Sequence, residues 1–118
     1  MLAGSRSHRV GDQILREISD LLMKKVKDPR IKAVTLTDVK MSKDLRRAHI
    51  FYSLYGDREQ KKQAQEGFES AKGYIRREIG ERLQLRYVPD IQFEYDASLE
   101  YGQRIEQLLE ELKTESNE

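Results

Sequence analysis

The chain has 118 residues, the size of one ordinary domain. It has no cysteine and two histidines, His8 and His49, which excludes disulfide scaffolds, thiolate metal sites, thiol nucleophiles and a histidine-rich metal centre. The formal net charge is +1, but residues 1–50 hold 12 basic and 6 acidic side chains, residues 51–90 hold 8 and 7, and residues 91–118 hold 2 and 8, so a basic front and an acidic tail replace the near-neutral sum and point to a polyanionic partner for one part of the chain.

Residues 8–27 read as an amphipathic helix with Val10, Ile14, Ile18, Leu21 and Leu22 on one stripe, ended by Asp28-Pro29 because proline disfavours helical geometry in the residue before it. Residues 33–41 and 45–54 read as two strands joined by the polar turn Ser42-Lys43-Asp44, a hairpin. In the second strand Ala48, Ile50, Tyr52 and Leu54 share the inner face, leaving Arg47, His49, Phe51 and Ser53 on a solvated one. In the first, Val34 and Leu36 differ in parity from Val39 and Met41, which predicts a bulge or burial on both faces.

Asp57 with Gln60 forms a capping-box pattern ahead of a helix over 58–85, whose stripe is Ala64, Phe68, Ala71, Ile75, Ile79 and Leu83. One straight helix of that length would span roughly 42 Å, so a bend is expected, with Gly67, Gly73 and Gly80 as candidates. After the connector 87–90, residues 91–96 alternate strictly and form a third strand. Residues 98–113 form an acidic amphipathic helix with Leu99, Ile105, Leu108, Leu109 and Leu112, expected to pack on its own sheet, and residues 114–118 are expected to be disordered. The order predicts an α+β domain, a three-stranded sheet with helices on one face.

Catalysis has little to stand on. The carboxylates lie mostly at exposed helical positions, His49 has no marked partner, and neither a nucleophile elbow nor a phosphate-binding glycine loop is present. No enzyme activity, cofactor or metal is expected. No apolar run reaches the roughly 20 residues that span a bilayer, and the opening MLAGSRSHRV has no hydrophobic core of a signal peptide, so a cytoplasmic location without membrane partners is expected.

Basic residues gather at joints of the chain. Lys24, Lys25, Lys27, Arg30 and Lys32 surround the end of the first helix, and Lys40, Lys43, Arg46 and Arg47 flank the hairpin turn. Such side chains neutralise phosphate. In Ser70-Ala71-Lys72-Gly73-Tyr74-Ile75-Arg76-Arg77, Ala71 and Ile75 belong to the buried stripe, while Lys72 and Arg76 share a face with Gly73 and Arg77 beside them. A helix break there would offer a phosphate the amides of a new helix start; a glycine that only bends or packs the helix is the other reading.

A strand pair followed by a helix–Ala-x-Gly–helix kink and one more strand resembles the type II KH fold, with Ala71-Lys72-Gly73 in place of the usual GxxG loop. The ordered segments resemble the family of bacterial ribosome-binding factor A. They are Arg9-Val10, Asp28-Pro29-Arg30, Thr37-Asp38-Val39, Ser42-Lys43-Asp44-Leu45, Ala71-Lys72-Gly73-Tyr74-Ile75-Arg76, Arg82-Leu83, Leu85-Arg86, Pro89-Ile91-Phe93 and Tyr101-Gly102-Arg104-Ile105. The resemblance implies a non-enzymatic assembly factor that binds 16S rRNA and the free, immature small (30S) ribosomal subunit rather than the 70S ribosome. It implies a role in late maturation and rRNA end processing, above all in the cold, and release aided by an assembly GTPase or initiation factor.

On this reading residues 1–97 are a KH-like rRNA-binding domain and residues 98–118 an acidic helix and tail, in a monomer. The RNA-binding candidates are Arg9, Lys24, Lys25, Arg30, Lys32, Lys43, Arg46, Arg47, Ala71, Lys72, Gly73, Arg76, Arg77 and Arg86. A general KH-like RNA binder, or a protein–protein adaptor working through the acidic helix, are the alternatives.

Overall fold

Strict alternation decides the sheet. In the computed structural model, which describes residues 6–116 (without the side chains of 99–104 and 114–116), the order is α1 (Arg6–Lys24), β1 (Thr35–Met41), β2 (Arg47–Ser53), α2 (Arg58–Arg82), β3 (Asp90–Tyr95) and α3 (Ser98–Ser116). β2 is central, antiparallel to β1 and parallel to β3. Ala48, Ile50 and Tyr52 are buried on its inner face, with Ile91 and Phe93 beside them on β3. The broken alternation of β1 is a bulge: the register slips between Leu36 and Asp38, so Val39 and Met41 join Leu36 on the inner side. The displaced Thr37 hydroxyl donates to Asp96 at 2.7 Å. This is the expected α+β, KH-like arrangement.

α1 lays Ile14, Ile18 and Leu21 on the sheet. It stops at Lys24, earlier than the proline alone requires. Asp28 accepts from the Arg30 amide at 2.9 Å and chelates its guanidinium, with the closest approach 2.6 Å, so Asp28-Pro29-Arg30 folds as a turn of its own. α2 starts on the expected capping box, with both reciprocal hydrogen bonds at 2.8 Å. It buries Ala64, Phe68, Ile75 and Ile79. Phe68 stacks on Phe93 at 4.3 Å between ring centroids and lies 4.7 Å from Tyr52. The Tyr52 hydroxyl donates to Gln65 at 2.6 Å, and the Gln65 amide donates to the Phe93 carbonyl at 2.8 Å, so the core's polar atoms are paired.

α2 runs as one 25-residue helix, three residues shorter than expected. Ala71-Lys72-Gly73 lies inside it, so no second helix start opens there. α3 also departs from expectation. It extends to Ser116, and Ile105, Leu108, Leu109 and Leu112 are exposed rather than packed on the sheet. A helix with polar residues on every side of a narrow apolar row gains too little burial to hold the sheet's edge. The Leu99 side chain and residues 117–118 of the expected tail lie outside what the structure describes.

α1 and α2 are tied by Arg82, which donates to Asp20 at 2.9 Å and Glu17 at 3.3 Å. Arg82, then Lys24, hold the Asp20 carboxyl below its ordinary range. Arg30 does the same for Asp28, the Ser42 hydroxyl for Asp44, and Ser98 with Thr37 for Asp96. Because each folded-state pKa is depressed, the unfolded chain binds protons first as pH falls. Thermal stability is therefore expected to hold from about pH 7 to about pH 5 and to fall below about pH 4, the ordinary aspartate range. In Arg82→Met the acid limb of Tm against pH is expected to be shallower, because Asp20 loses its strongest partner. These groups are solvent-exposed, so added salt reduces the difference.

Candidate nucleic-acid interface

The turn 28–34 brings two of the expected clusters together. Ile31 is buried, and a Cβ on Gly67 would meet its Cγ2 at 2.9 Å and the Arg30 Cβ at 3.2 Å. Gly67 thus lets the turn lie directly on α2. Arg30 also reaches the Ser70 hydroxyl at 3.4 Å, one residue before Ala71-Lys72-Gly73. The result is one surface built from the end of α1, the turn and the middle of α2.

The cations on this surface differ in their engagements. Lys25, Lys27 and Lys32 are exposed and pair with no carboxylate among the described residues. Lys24 pairs with Asp20 at 2.9 Å, and Lys72 with Glu69 at 3.2 Å. Arg30 is largely committed to Asp28. Arg77 is exposed, 5.7 Å from the Tyr74 ring centroid, while Arg76 turns inward and donates to the carbonyls of Pro89 at 3.1 Å and Val88 at 3.2 Å. The geometry gives Arg76 a fixed structural duty, holding the connector after α2. Of the two side chains expected to share a face, Lys72 pairs with Glu69 and Arg76 is held by the connector carbonyls.

Gly73 is exposed, and an added Cβ would meet no atom within 4 Å. Gly73→Ala is therefore expected to stabilise the fold by about 0.5–1 kcal/mol, the ordinary helix preference for alanine. Gly67→Ala, on the same helix, is expected to cost about 1–3 kcal/mol through overpacking against Ile31. Urea unfolding of both variants checks the contrast. If Gly73 serves close approach of an RNA backbone, the alanine variant also binds small subunits more weakly while being more stable.

The remaining candidates lie elsewhere. Lys43, Arg46 and Arg47 are exposed around the hairpin, which the Ser42 hydroxyl organises by accepting from the Arg46 and Arg47 amides at 3.2 and 3.0 Å and donating to Asp44 at 2.7 Å. Arg86 stands nearby, lining the same cleft as Arg46 and, near the start of α1, Arg6; Arg9 is exposed one turn along. The 19 residues of α1 place this group about 27 Å from Lys24. The basic surface is thus two patches, one at each end of α1, rather than one. Arg6 was missed by motif reasoning; only its place in the fold brings it to the hairpin.

Among the described residues no group of three or more His, Asp or Glu side chains is placed to hold a metal ion, and no helix is long and apolar enough to cross a membrane.

A family model described as ribosome-binding factor A matches residues 6–109. A ribosome-binding factor A from Citrifermentans bemidjiense is 52% identical over 107 residues, covering 91% of this chain and 90% of the relative. One from Dictyoglomus thermophilum is 53% identical over 114 residues, covering 96% and 95%. The crystal structure of ribosome-binding factor A from Thermus thermophilus superposes with a TM-score of 0.67 at 19% identity, covering 75% of this chain and 93% of that one. A Thermus thermophilus coordinate set fitted into a cryo-EM map of a complex with the 30S subunit gives 0.66 at 19% identity, covering 79% and 97%.

Proposed function

Because the chain belongs to the ribosome-binding factor A family, we propose that it binds 16S rRNA on the free small (30S) ribosomal subunit and acts as a non-enzymatic factor in late assembly. The observation that carries this is the exposed trio Lys25, Lys27 and Lys32, paired with no carboxylate among the described residues, on a turn whose Arg30 reaches Ser70 about one helical turn before the exposed Gly73. Lysines that no carboxylate occupies release counterions when they meet phosphate, and that release drives binding without base readout. An unbroken helix at Ala71-Lys72-Gly73 lacks the loop with which KH domains clamp four nucleotides, which favours recognition of rRNA shape.

Residues 1–97 are the binding unit in this reading. The acidic 98–118 segment is a separate element that restrains non-specific RNA binding by repulsion. The factor works as a cytoplasmic monomer, supports rRNA end processing in the cold, and leaves with the help of an assembly GTPase or an initiation factor.

Co-sedimentation with salt-washed subunits tests the core of the proposal. The chain is expected to pellet with small subunits at low salt, to leave them as salt rises, and to associate little with 70S ribosomes. Absence of small-subunit association at low salt overturns it. Equal affinity for unrelated structured RNA at physiological salt would instead make the chain a general RNA binder.

A further inference from the structure

Two non-glycine residues have positive φ, Leu45 at 63° and Gln84 at 51°. Leu45 lines a cleft of about 700 Å³ between the hairpin turn and the connector after α2, and Gln84 immediately precedes Leu85, which lines it too. Gln84 has a plain duty. It closes α2 as the left-handed residue of a Schellman ending, with the Leu85 amide donating to the Gly80 carbonyl at 3.0 Å and the Gln84 amide to that of Glu81 at 3.3 Å.

Leu45 closes the hairpin turn, its amide donating to the Ser42 carbonyl at 3.0 Å, a backbone duty that makes no use of a leucine side chain. A hairpin position of this kind suits glycine or asparagine, and leucine is strained there. What leucine adds is its side chain, which is half-buried and lines the cleft with Met41 and Leu85. Strain kept in place by the surrounding fold is a pointer to a site.

The rim fits one chemistry. Arg6, Arg46 and Arg86 are exposed and form no salt bridge among the described residues. Tyr87 is 78% exposed, with the Arg86 guanidinium 5.8 Å from its ring centroid. The one carboxylate lining the cleft, Asp44, accepts from the Ser42 hydroxyl at 2.7 Å and the Arg46 amide at 3.0 Å. The connector wall is held from behind by Arg76. An apolar floor, an exposed ring and three guanidinium groups suit a flat apolar body that carries phosphate, and the volume lies in the range of small-ligand pockets.

We infer that this cleft holds an unpaired nucleotide of RNA, its base against Leu45, Leu85 and Tyr87 and its phosphate on Arg46 and Arg86. The inference rests on the RNA-binding reading above and adds a second anchor at the opposite end of α1 from Lys25, Lys27 and Lys32.

The probe is a single-stranded hexaadenylate carrying one 2-aminopurine, titrated with the full chain while its fluorescence is followed. Small-subunit co-sedimentation is run in parallel. Saturable quenching is expected, weakened about tenfold by Arg46→Glu with Arg86→Glu, each a lost phosphate contact turned repulsive. Leu45→Gly is expected to weaken it about threefold to tenfold without lowering Tm, a combination that a purely structural leucine would not give.

No quenching, or full affinity in Leu45→Gly, overturns the cleft. If the subunits are still bound, the subunit reading stands without it. Quenching that obeys the variants, in a chain that ignores small subunits, supports the cleft and removes the subunit reading. Self-association abolished by Leu45→Gly, or shifts of cleft amides on Leu109→Ala in α3, would give the cleft a protein occupant and overturn the inference.

Discussion

Phe68→Ala is expected to lower the unfolding free energy by about 3–5 kcal/mol, a fifth or more of the roughly 5–15 kcal/mol that a domain commands. The side chain is fully buried between α2 and the sheet. It stacks on Phe93 and tilts against Tyr52, so truncation opens a void walled by two aromatic rings that have no room to rotate into it. The Tyr52–Gln65–Phe93 hydrogen-bond chain borders the same space, and relaxing it would expose paired polar atoms. The loss should appear in urea as a lower midpoint at unchanged slope, followed by far-ultraviolet circular dichroism. Phe68→Leu should lose clearly less, since more of the volume remains. A loss below about 1 kcal/mol in the alanine variant would mean that the core collapses onto the gap, contrary to the packing described.

Elements whose signal is local were legible in the sequence. β2 and β3 alternate because one face is buried and the other open, and the parity change in β1 marks its bulge because a strand's period is two. The Asp57–Gln60 capping box is equally local.

What eluded the sequence depends on what faces a residue. Gly67 was a candidate bend, but what it permits is contact with Ile31, which its own helix cannot reveal. Arg30, Arg76 and Arg82 belong to the same residue type as the free cations, yet hold a carboxylate, two carbonyls and a helix pair respectively. Leu45 carries no mark of left-handed backbone, because that conformation is usually announced by glycine or asparagine. The apolar row of α3 was visible, but periodicity records that a helix has an apolar side and says nothing of whether the sheet receives it.

Charge reversal at Lys25, Lys27 and Lys32 is expected to cut small-subunit affinity by about 100-fold or more at roughly 0.1 M salt, and to leave the fold intact. The three side chains are exposed and form no salt bridge among the described residues, so each substitution should change stability by no more than about 0.5 kcal/mol. Binding responds differently, because every phosphate contact contributes a released counterion. Replacing all three with alanine should lower the slope of log affinity against log salt by about two to three. Glutamate adds repulsion from the same phosphates, which brings the loss to the larger figure. The necessary comparison is Arg58→Glu with Lys62→Glu, which shifts net charge by −4 against −6 for the triple reversal, on the exposed first turns of α2. That control should lose only the small, uniform affinity that any change in net charge brings. A control as weak as the triple variant would show that net charge governs binding, and the end of α1 would lose its standing as the contact. Retained affinity in the triple variant, with the salt slope unchanged, would move the contact to the arginines of the hairpin cleft at the other end of the helix.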